Sequence, residues 1–431
     1  MKILSCIWRR RYPKLLLMMF ATVLIVSCTA SITSSAQNQV EQARSADAFV
    51  DSIGFNVHLT YTDTAYGKYK TIIRPRLQEL GIRHIRDGFV RKTPHYNDKL
   101  RDLATIGIHA TLIAGIGWVT PQQAVAIAQQ LDDAIEAVEG PNEYDLGKNR
   151  QEWVPELRQY TEQLHDAFKN SRPTAHLPLI GPSFVHGDSS RAIGTLAQWV
   201  DYGNMHPYNY PDPPGDRNID RELKNRAQPF KTKPLVVTET GYHTANIKSD
   251  RPLTEKAQAK YLPRLFLEYF NRDISRTFSY ELIDQRVKPQ DKEANFGVLR
   301  NDGSPKPAFI ALKNLIELLK DPGDRFPLKS LNYTLSGNTF NVHHTLLQKR
   351  NGSFYLILWQ EVPSFDRKTH RDLTVAAQPV TLTLATPAKQ ANIYQISQST
   401  TPVVQKTNPK KLDLNISDSP LVVELLVNQN S

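Results

Sequence analysis

The stretch PLVVTETGYHT, Pro234 to Thr244, sets three apolar β-formers, Leu235 to Val237, directly ahead of Thr238 and a lone acid, Glu239. A near-continuous apolar run of this kind suits a parallel strand covered on both faces, because a strand with one wet face would alternate. Almost a hundred residues earlier VEGPNEYD, Val138 to Asp145, follows the same plan. There an apolar β-run ends in a Gly-Pro kink, with Asn142 and Glu143 behind it.

Working outward from these two stretches, short β-rich runs alternate with longer helical patterns from Ser52 onward. The runs are SIGFNVHL, IRHIRDG, HATLIAGIG, AIEAVEGPNE, LPLIGPSF, VDYGNMHPY, LVVTETGY and RTFSYELID. Helical spacing marks KYKTIIRPRLQELG, NDKLRDLATIG, TPQQAVAIAQQLDD, EWVPELRQYTEQLHDAFKNS, SSRAIGTLAQWV, TEKAQAKYLPRLFLEYFNRD and KPAFIALKNLIELLKD. Eight strands alternating with helical stretches over about 270 residues predict a (β/α)8 TIM barrel. A doubly wound open sheet is the competing architecture, but no Gly-rich phosphate loop follows the first strand.

After Pro327 the texture changes. FNVHHTLLQKRNGSFYLILWQE reads as two strands around an Asn-Gly turn, a strong hairpin signal. PVTLTLAT, QANIYQI, LDLNISD and PLVVELLV continue at short spacing with no helical stretch, which predicts a small all-β sandwich. His343 and His344 are neighbours on a strand and point to opposite faces, so a structural role is expected rather than joint metal ligation.

The N-terminus is of another kind. Arg9, Arg10, Arg11 and Lys14 precede LLLMMFATVLIVS, Leu15 to Ser27, an apolar stretch too short to span a bilayer comfortably and built like a secretory signal. It runs into IVSC, Ile25 to Cys28. That stretch resembles the lipobox of bacterial lipoproteins, which implies lipidation of Cys28 and a lipid-anchored protein of the bacterial cell envelope. An ordinary signal peptide that contains a cysteine is the competing reading. The chain has two cysteines, Cys6 and Cys28, so no disulfide is expected in the mature domain. The polar TASITSSAQNQVEQARS that follows reads as a tether. The expected division is therefore leader 1–27, tether 28–48, barrel 49–324 and sandwich 325–431.

The formal charge of +10 falls to +5 once the five cations of the leader are set aside. The remainder is spread along the chain with no Lys/Arg block, so no nucleic-acid partner is expected.

In a barrel, chemistry gathers at the C-terminal strand ends. Those ends offer His58 on strand one, Arg86 and Asp87 on strand two, Trp118 after strand three, and Asn142 and Glu143 after strand four. Strand six adds His206 and Tyr208, strand seven Glu239, and strand eight Tyr280 and Glu281. Each has a plainer reading: a cap, a buried ion pair, or Arg86 and Asp87 satisfying one another. Glu143 and Glu239 on strands four and seven, at the same barrel end, are the pair that could meet.

With that placement the chain resembles the clan A glycoside hydrolases from Ser52 to Leu319. The resemblance implies that Glu143 is the acid/base, Asn142 contacts a sugar hydroxyl and Glu239 is the nucleophile of a retaining, double-displacement mechanism. It places Arg86 and the HPY of His206 to Tyr208 as supporting residues, and NFGVLRNDGSPKPAFIALKNL as the path from strand eight to the last helix. Many members carry a Trp on strand eight as the floor of the central subsite; SYELID has Tyr280 and Glu281 there instead.

Arg86 and the Tyr208 hydroxyl should keep Glu239 charged, leaving Glu143 the higher-pKa partner. Trp118, Tyr208, Tyr242 and Tyr280 could stack on sugar faces of an oligo- or polysaccharide. No cofactor or metal is expected, and zinc hydrolysis has no support because there is no H-E-x-x-H motif; without a G-x-S-x-G elbow serine-hydrolase chemistry has none either. A transglycosylase using the same pair, and a non-catalytic lipid-anchored glycan-binding protein, are the alternatives.

Overall fold

The structure, a computed structural model, describes residues 39–91, 95–215, 217–247 and 252–427. The leader and Cys28 lie outside the described residues. Eight strands form one parallel sheet: β1 (Ile53–Asn56), β2 (His84–Gly88), β3 (His109–Ile113), β4 (Ile135–Glu139), β5 (Leu179–Ile180), β6 (Gly203–Met205), β7 (Leu235–Thr240) and β8 (Arg276–Ser279). Neighbours in sequence are neighbours in the sheet, and β8 pairs with β1. A parallel bridge from Ile180 to Tyr202 joins β5 to β6 and closes the barrel.

A helix follows every strand. These are α1 (Arg74–Leu80), α2 (Tyr96–Ala104), α3 (Pro121–Leu131), α4 (Arg150–Lys169), α5 (Gly187–Ala192), α6 (Arg217–Arg226), α7 (Glu255–Asn271) and α8 (Pro307–Leu319). Two depart from expectation. SSRAIGTLAQWV yields helix only as far as Ala192, because Gly194 turns into the left-handed region at φ 71°. Between strands six and seven, where the spacing predicts no helix, α6 begins at Arg217, three residues past the last proline of the stretch, Pro214, and runs on through helix-forming RELKNR.

Inside the barrel the lower layer is apolar, built on Ala137, Ile180, Val236 and Phe278. Gly54 on β1 makes room for it, since a Cβ there would lie 2.5 Å from the Phe278 ring. The layer above is polar. Asn56, Arg86, Glu139, Asn204 and Thr238 are all at most 3% exposed, and they form the floor of the site.

The C-terminal strands form two antiparallel-based sheets. One runs 39–42, 330–337, 378–384 and 411–416; the other 404–407, 390–395, 421–426, 354–360, 342–348 and 44–45. The Asn351–Gly352 hairpin is present, with Val342–Gln348 antiparallel to Phe354–Gln360. Of the stretch expected as tether, residues 39–48 are described, and for these the expectation is corrected. Gln39–Gln42 pairs antiparallel with Ser330–Gly337, and Arg44–Ser45 pairs parallel with the strand at 342–348. A polar strand at a sheet edge needs no apolar pattern, because its outer face and outer edge meet water.

Candidate active site

Two local devices bring the carboxylates together. On β7, Thr238 and Glu239 stand opposite the single residue Phe278 of β8, since Val237 pairs with Thr277 and Thr240 with Ser279. A bulge of this kind re-aims a side chain. Here it turns two consecutive residues toward the interior, where a regular strand would send them to opposite faces. Beyond β4 the chain kinks at Gly140-Pro141, and Glu143 takes a left-handed φ of 44°. Its N–H donates to Ser183 Oγ at 3.0 Å, while Asp145 accepts from the N–H groups of Val185 and His186 at 3.0 and 3.1 Å. The loop after β4 is thus tied to the loop after β5.

Arg86 is the hub. Its Nε and Nη2 grip Glu139 at 2.6 and 2.8 Å, and its Nη1 donates to Asn56 Oδ1 at 2.8 Å and to Glu239 Oε2 at 2.9 Å. Nη2 also reaches Asn142 Oδ1 at 2.6 Å. Burial opposes the guanidinium's charge, yet Glu139 and Glu239 outweigh it and hold Arg86 above its ordinary range. Glu239 receives a second donor, the Tyr208 hydroxyl, on Oε1 at 2.7 Å. Tyr208 is raised well above its ordinary value, by burial first and then by the Glu239 charge.

Glu143 faces His206, whose Nδ1 lies 2.9 Å from Oε1 and 4.0 Å from Glu239 Oε2. Oxygens of Glu143 and Glu239, together with a His206 ring nitrogen, fall within 4.8 Å of one another. Such a grouping could draw a cation, but the Arg86 guanidinium already occupies Oε2 of Glu239, and a metal there would sit against a buried positive charge. The expectation of a raised Glu143 is corrected. Burial pushes it up, but the hydrogen bond and charge of His206, with Arg86 and Arg226 further off, pull it below its ordinary value.

A cleft of about 490 Å³ opens at this barrel end, lined among others by Asn56, His58, Tyr61, Arg86, Asp87, Trp118, Asn142, Glu239, Tyr280 and Glu293. Glu143, His206 and Tyr208 stand beside it, joined to it through Glu239. Trp118 is 51% exposed and presents its ring to the cleft. Tyr61 stacks on His58 with ring centroids 4.6 Å apart, and His58 Nε2 meets the Tyr280 hydroxyl at 3.2 Å. Burial, then the Arg86 charge, depresses His58 to about 4, so its ring is neutral in the cleft at neutral pH.

No family model matches the chain, and no curated protein matches it significantly in sequence. Among the solved structures that resemble it are the following two. One is a family 39 glycoside hydrolase from the gut symbiont Bacteroides cellulosilyticus WH2, 15% identical, covering 89% of this chain and 81% of that one, with a TM-score of 0.58. The other is a glucosidase from Croceicoccus marinus, 10% identical, covering 83% and 93%, with a TM-score of 0.57. What the chain shares with them is the fold.

The candidate residues fare differently. Arg86, Asn142, Glu143, His206, Tyr208 and Glu239 form one connected network, and His58, Trp118 and Tyr280 line the adjoining cleft. Tyr242 does not belong: it is 1% exposed and packs on Tyr261. Arg86 and Asp87 do not satisfy each other, for Asp87 accepts from the N–H groups of Leu59 and Gly88 instead. Glu281 turns inward, accepting from the Tyr66 hydroxyl at 2.9 Å and from Gln285 Nε2 at 3.0 Å. The sequence reading passed over Glu139, Thr238, Asn204 and Tyr61. Glu139 had a signal, being an acid at the tip of the apolar run AIEAVE, where only a buried partner could justify it.

Proposed function

We propose that this protein is a glycosidase acting on an oligo- or polysaccharide by a retaining, two-carboxylate mechanism. The observation that carries the reading is the approach of Glu143 and Glu239 to within 4.8 Å, oxygen to oxygen, at the catalytic end of a barrel. Retaining enzymes keep their carboxyls about 5–5.5 Å apart, whereas inverting ones leave about 6.5–9.5 Å for a water. Glu239, held by Arg86 and Tyr208, attacks C1 as the glycosidic C1–O bond breaks and Glu143 protonates the departing oxygen. Water then attacks C1, giving its proton to Glu143 as the bond to Glu239 breaks. Trp118 and Tyr61 offer faces on which a sugar ring can stack.

The test is anion rescue of the two alanine variants on activated aryl glycosides. Glu239→Ala should recover turnover with azide and give a glycosyl azide of inverted configuration. Glu143→Ala should glycosylate, stall, and give the retained azide product. An inactive variant with no anion rescue at either position would end the assignment, and product analysis with added sugar acceptors separates hydrolysis from glycosyl transfer.

We propose as well that Cys28 carries a lipid that holds the protein to the bacterial cell envelope, on the strength of IVSC behind a short apolar leader. Cys28→Ala should release the protein from the membrane fraction; unchanged association would refute the anchor.

A further inference from the structure

Thr238 is fully buried, and its Oγ1 meets three polar atoms: Glu139 Oε1 at 3.0 Å, Asn204 Oδ1 at 2.8 Å and His206 Nε2 at 2.9 Å. A carboxylate oxygen only accepts, and Glu139 is already the target of Arg86. The Asn204 amide is oriented by its Nδ2, which donates to Glu139 Oε1 and to the Gly181 carbonyl, both at 3.0 Å. Its Oδ1 therefore faces Thr238 and accepts. The hydroxyl has one proton, which these two acceptors share in a bifurcated bond. Its oxygen is left to accept from His206, so Nε2 must donate. A neutral imidazole carries a single ring proton, which leaves a lone pair on Nδ1 aimed at Glu143 Oε1, 2.9 Å away. Two acceptors do not rest at that distance without a proton between them.

We propose that Glu143 and His206 hold the catalytic proton jointly, and that Thr238, fixed by Glu139 and Asn204, is the positioning residue that makes this obligatory. This rests on the reading of Glu143 as acid/base. The shared proton lies on the carboxyl, donated to a neutral ring, or on the imidazolium, donated to a carboxylate; the pair is uncharged either way. In the first step a turn of the carboxyl carries the proton to the glycosidic oxygen. C1–O breaks, a Glu239 oxygen bonds to C1, and the leaving alcohol departs neutral. Glu143 is then a carboxylate facing a lone pair on Nδ1, an arrangement that strengthens it as the base. It recovers the proton from the attacking water as the C1 bond to Glu239 breaks. The charged groups facing the pair are Glu239 from β7, Arg86 from β2, Glu139 from β4 through Thr238, and Arg226 from α6.

The first experiment needs only the whole chain with 15N-labelled histidine. Long-range ring correlations distinguish the tautomers, with His206 assigned by its loss in His206→Asn. A ring protonated at Nε2 is expected; a neutral ring protonated at Nδ1 with a bare Nε2 overturns the proposal. Thr238→Val keeps the shape but removes the acceptor, freeing the ring to donate from Nδ1 to an unprotonated Glu143. The basic limb of kcat/KM should move down by about one pH unit. Substrates with poor leaving groups should lose roughly tenfold more than activated aryl glycosides. Thr238→Ser should restore both. An unmoved basic limb in a folded Val variant, or an equal loss for all leaving groups, overturns the positioning role. The expected tautomer in a chain that cleaves no glycoside would instead sink the reaction reading and leave the proton assignment standing.

Discussion

Asp87 sits in the cleft wall with one carboxylate oxygen on the Leu59 N–H at 2.9 Å and the other on the Gly88 N–H at 2.8 Å. Burial outweighs these donors, and the nearby charges of Arg86 and Lys99, and pushes Asp87 up to about 7. A carboxyl raised in the folded state favours folding in its protonated form. Its contribution is full below about pH 4 and lost as the pH rises through about 7, at most about 4 kcal/mol across the titration. Asp87→Asn cannot titrate. Between pH 5 and pH 8.5 its thermal midpoint should gain on the parent's, and an unchanged gap would show that Asp87 is not raised. Tyr242 teaches the opposite lesson at the same scale. Its place after a strand end made it a plausible stacking residue, but the next turn carries its ring into the core against Tyr261.

Among the elements, the barrel strands were legible because each carries its burial in its composition. LVVT and HATLI are apolar on both faces, as the strands of a parallel sheet between a filled lumen and a ring of helices must be. The helices were legible where apolar spacing was strong, as in the last helix, Pro307–Leu319, and faint where the helix is short or polar, as in Arg217–Arg226. The bulge at Thr238 and Glu239 left no mark in the sequence. It exists because two strands pair with one residue to spare, and pairing is a property of both partners. Yet this bulge is what aims Glu239 at Arg86 and Thr238 at His206.

At the scale of the molecule, the six-stranded sheet packs against the barrel through α7. Arg264 is fully buried, with Nε on Glu361 Oε2 at 2.8 Å and its Nη atoms on the Val362 carbonyl at 3.1 Å and Ser364 Oγ at 3.3 Å. One apolar cluster runs from barrel residues such as Phe266 to Trp359, Tyr394 and Val422 of that sheet. Around the same helix, Glu268 accepts from Arg272 and meets His343 Nδ1 at 2.6 Å, while His344 Nε2 meets Glu41 at 2.9 Å, so the neighbouring histidines turn to different partners. Arg264→Met would strand Glu361 as an uncompensated charge, a loss of roughly 3–5 kcal/mol. Chemical denaturation should show that loss in one transition shared by barrel and sandwich. A variant of parental stability, or an early transition confined to the sandwich, would contradict the coupling.

By itself the sequence determined the barrel, the trailing β-sandwich and the two acids at the ends of β4 and β7. All of these follow from local patterning: apolar run length, turn residues, and the rule that strand ends of a barrel converge. Tertiary structure alone decided what surrounds those acids. Glu139, Asn204 and Thr238 lie far apart along the chain, and each reads as an ordinary strand residue until the closed barrel sets their polar atoms within hydrogen-bond distance. The same holds for Gln39–Gln42, polar enough to be a tether and made a strand only by the edge it meets. A burial pattern is written residue by residue, whereas a hydrogen-bond partner belongs to whichever distant atom the closed fold brings near.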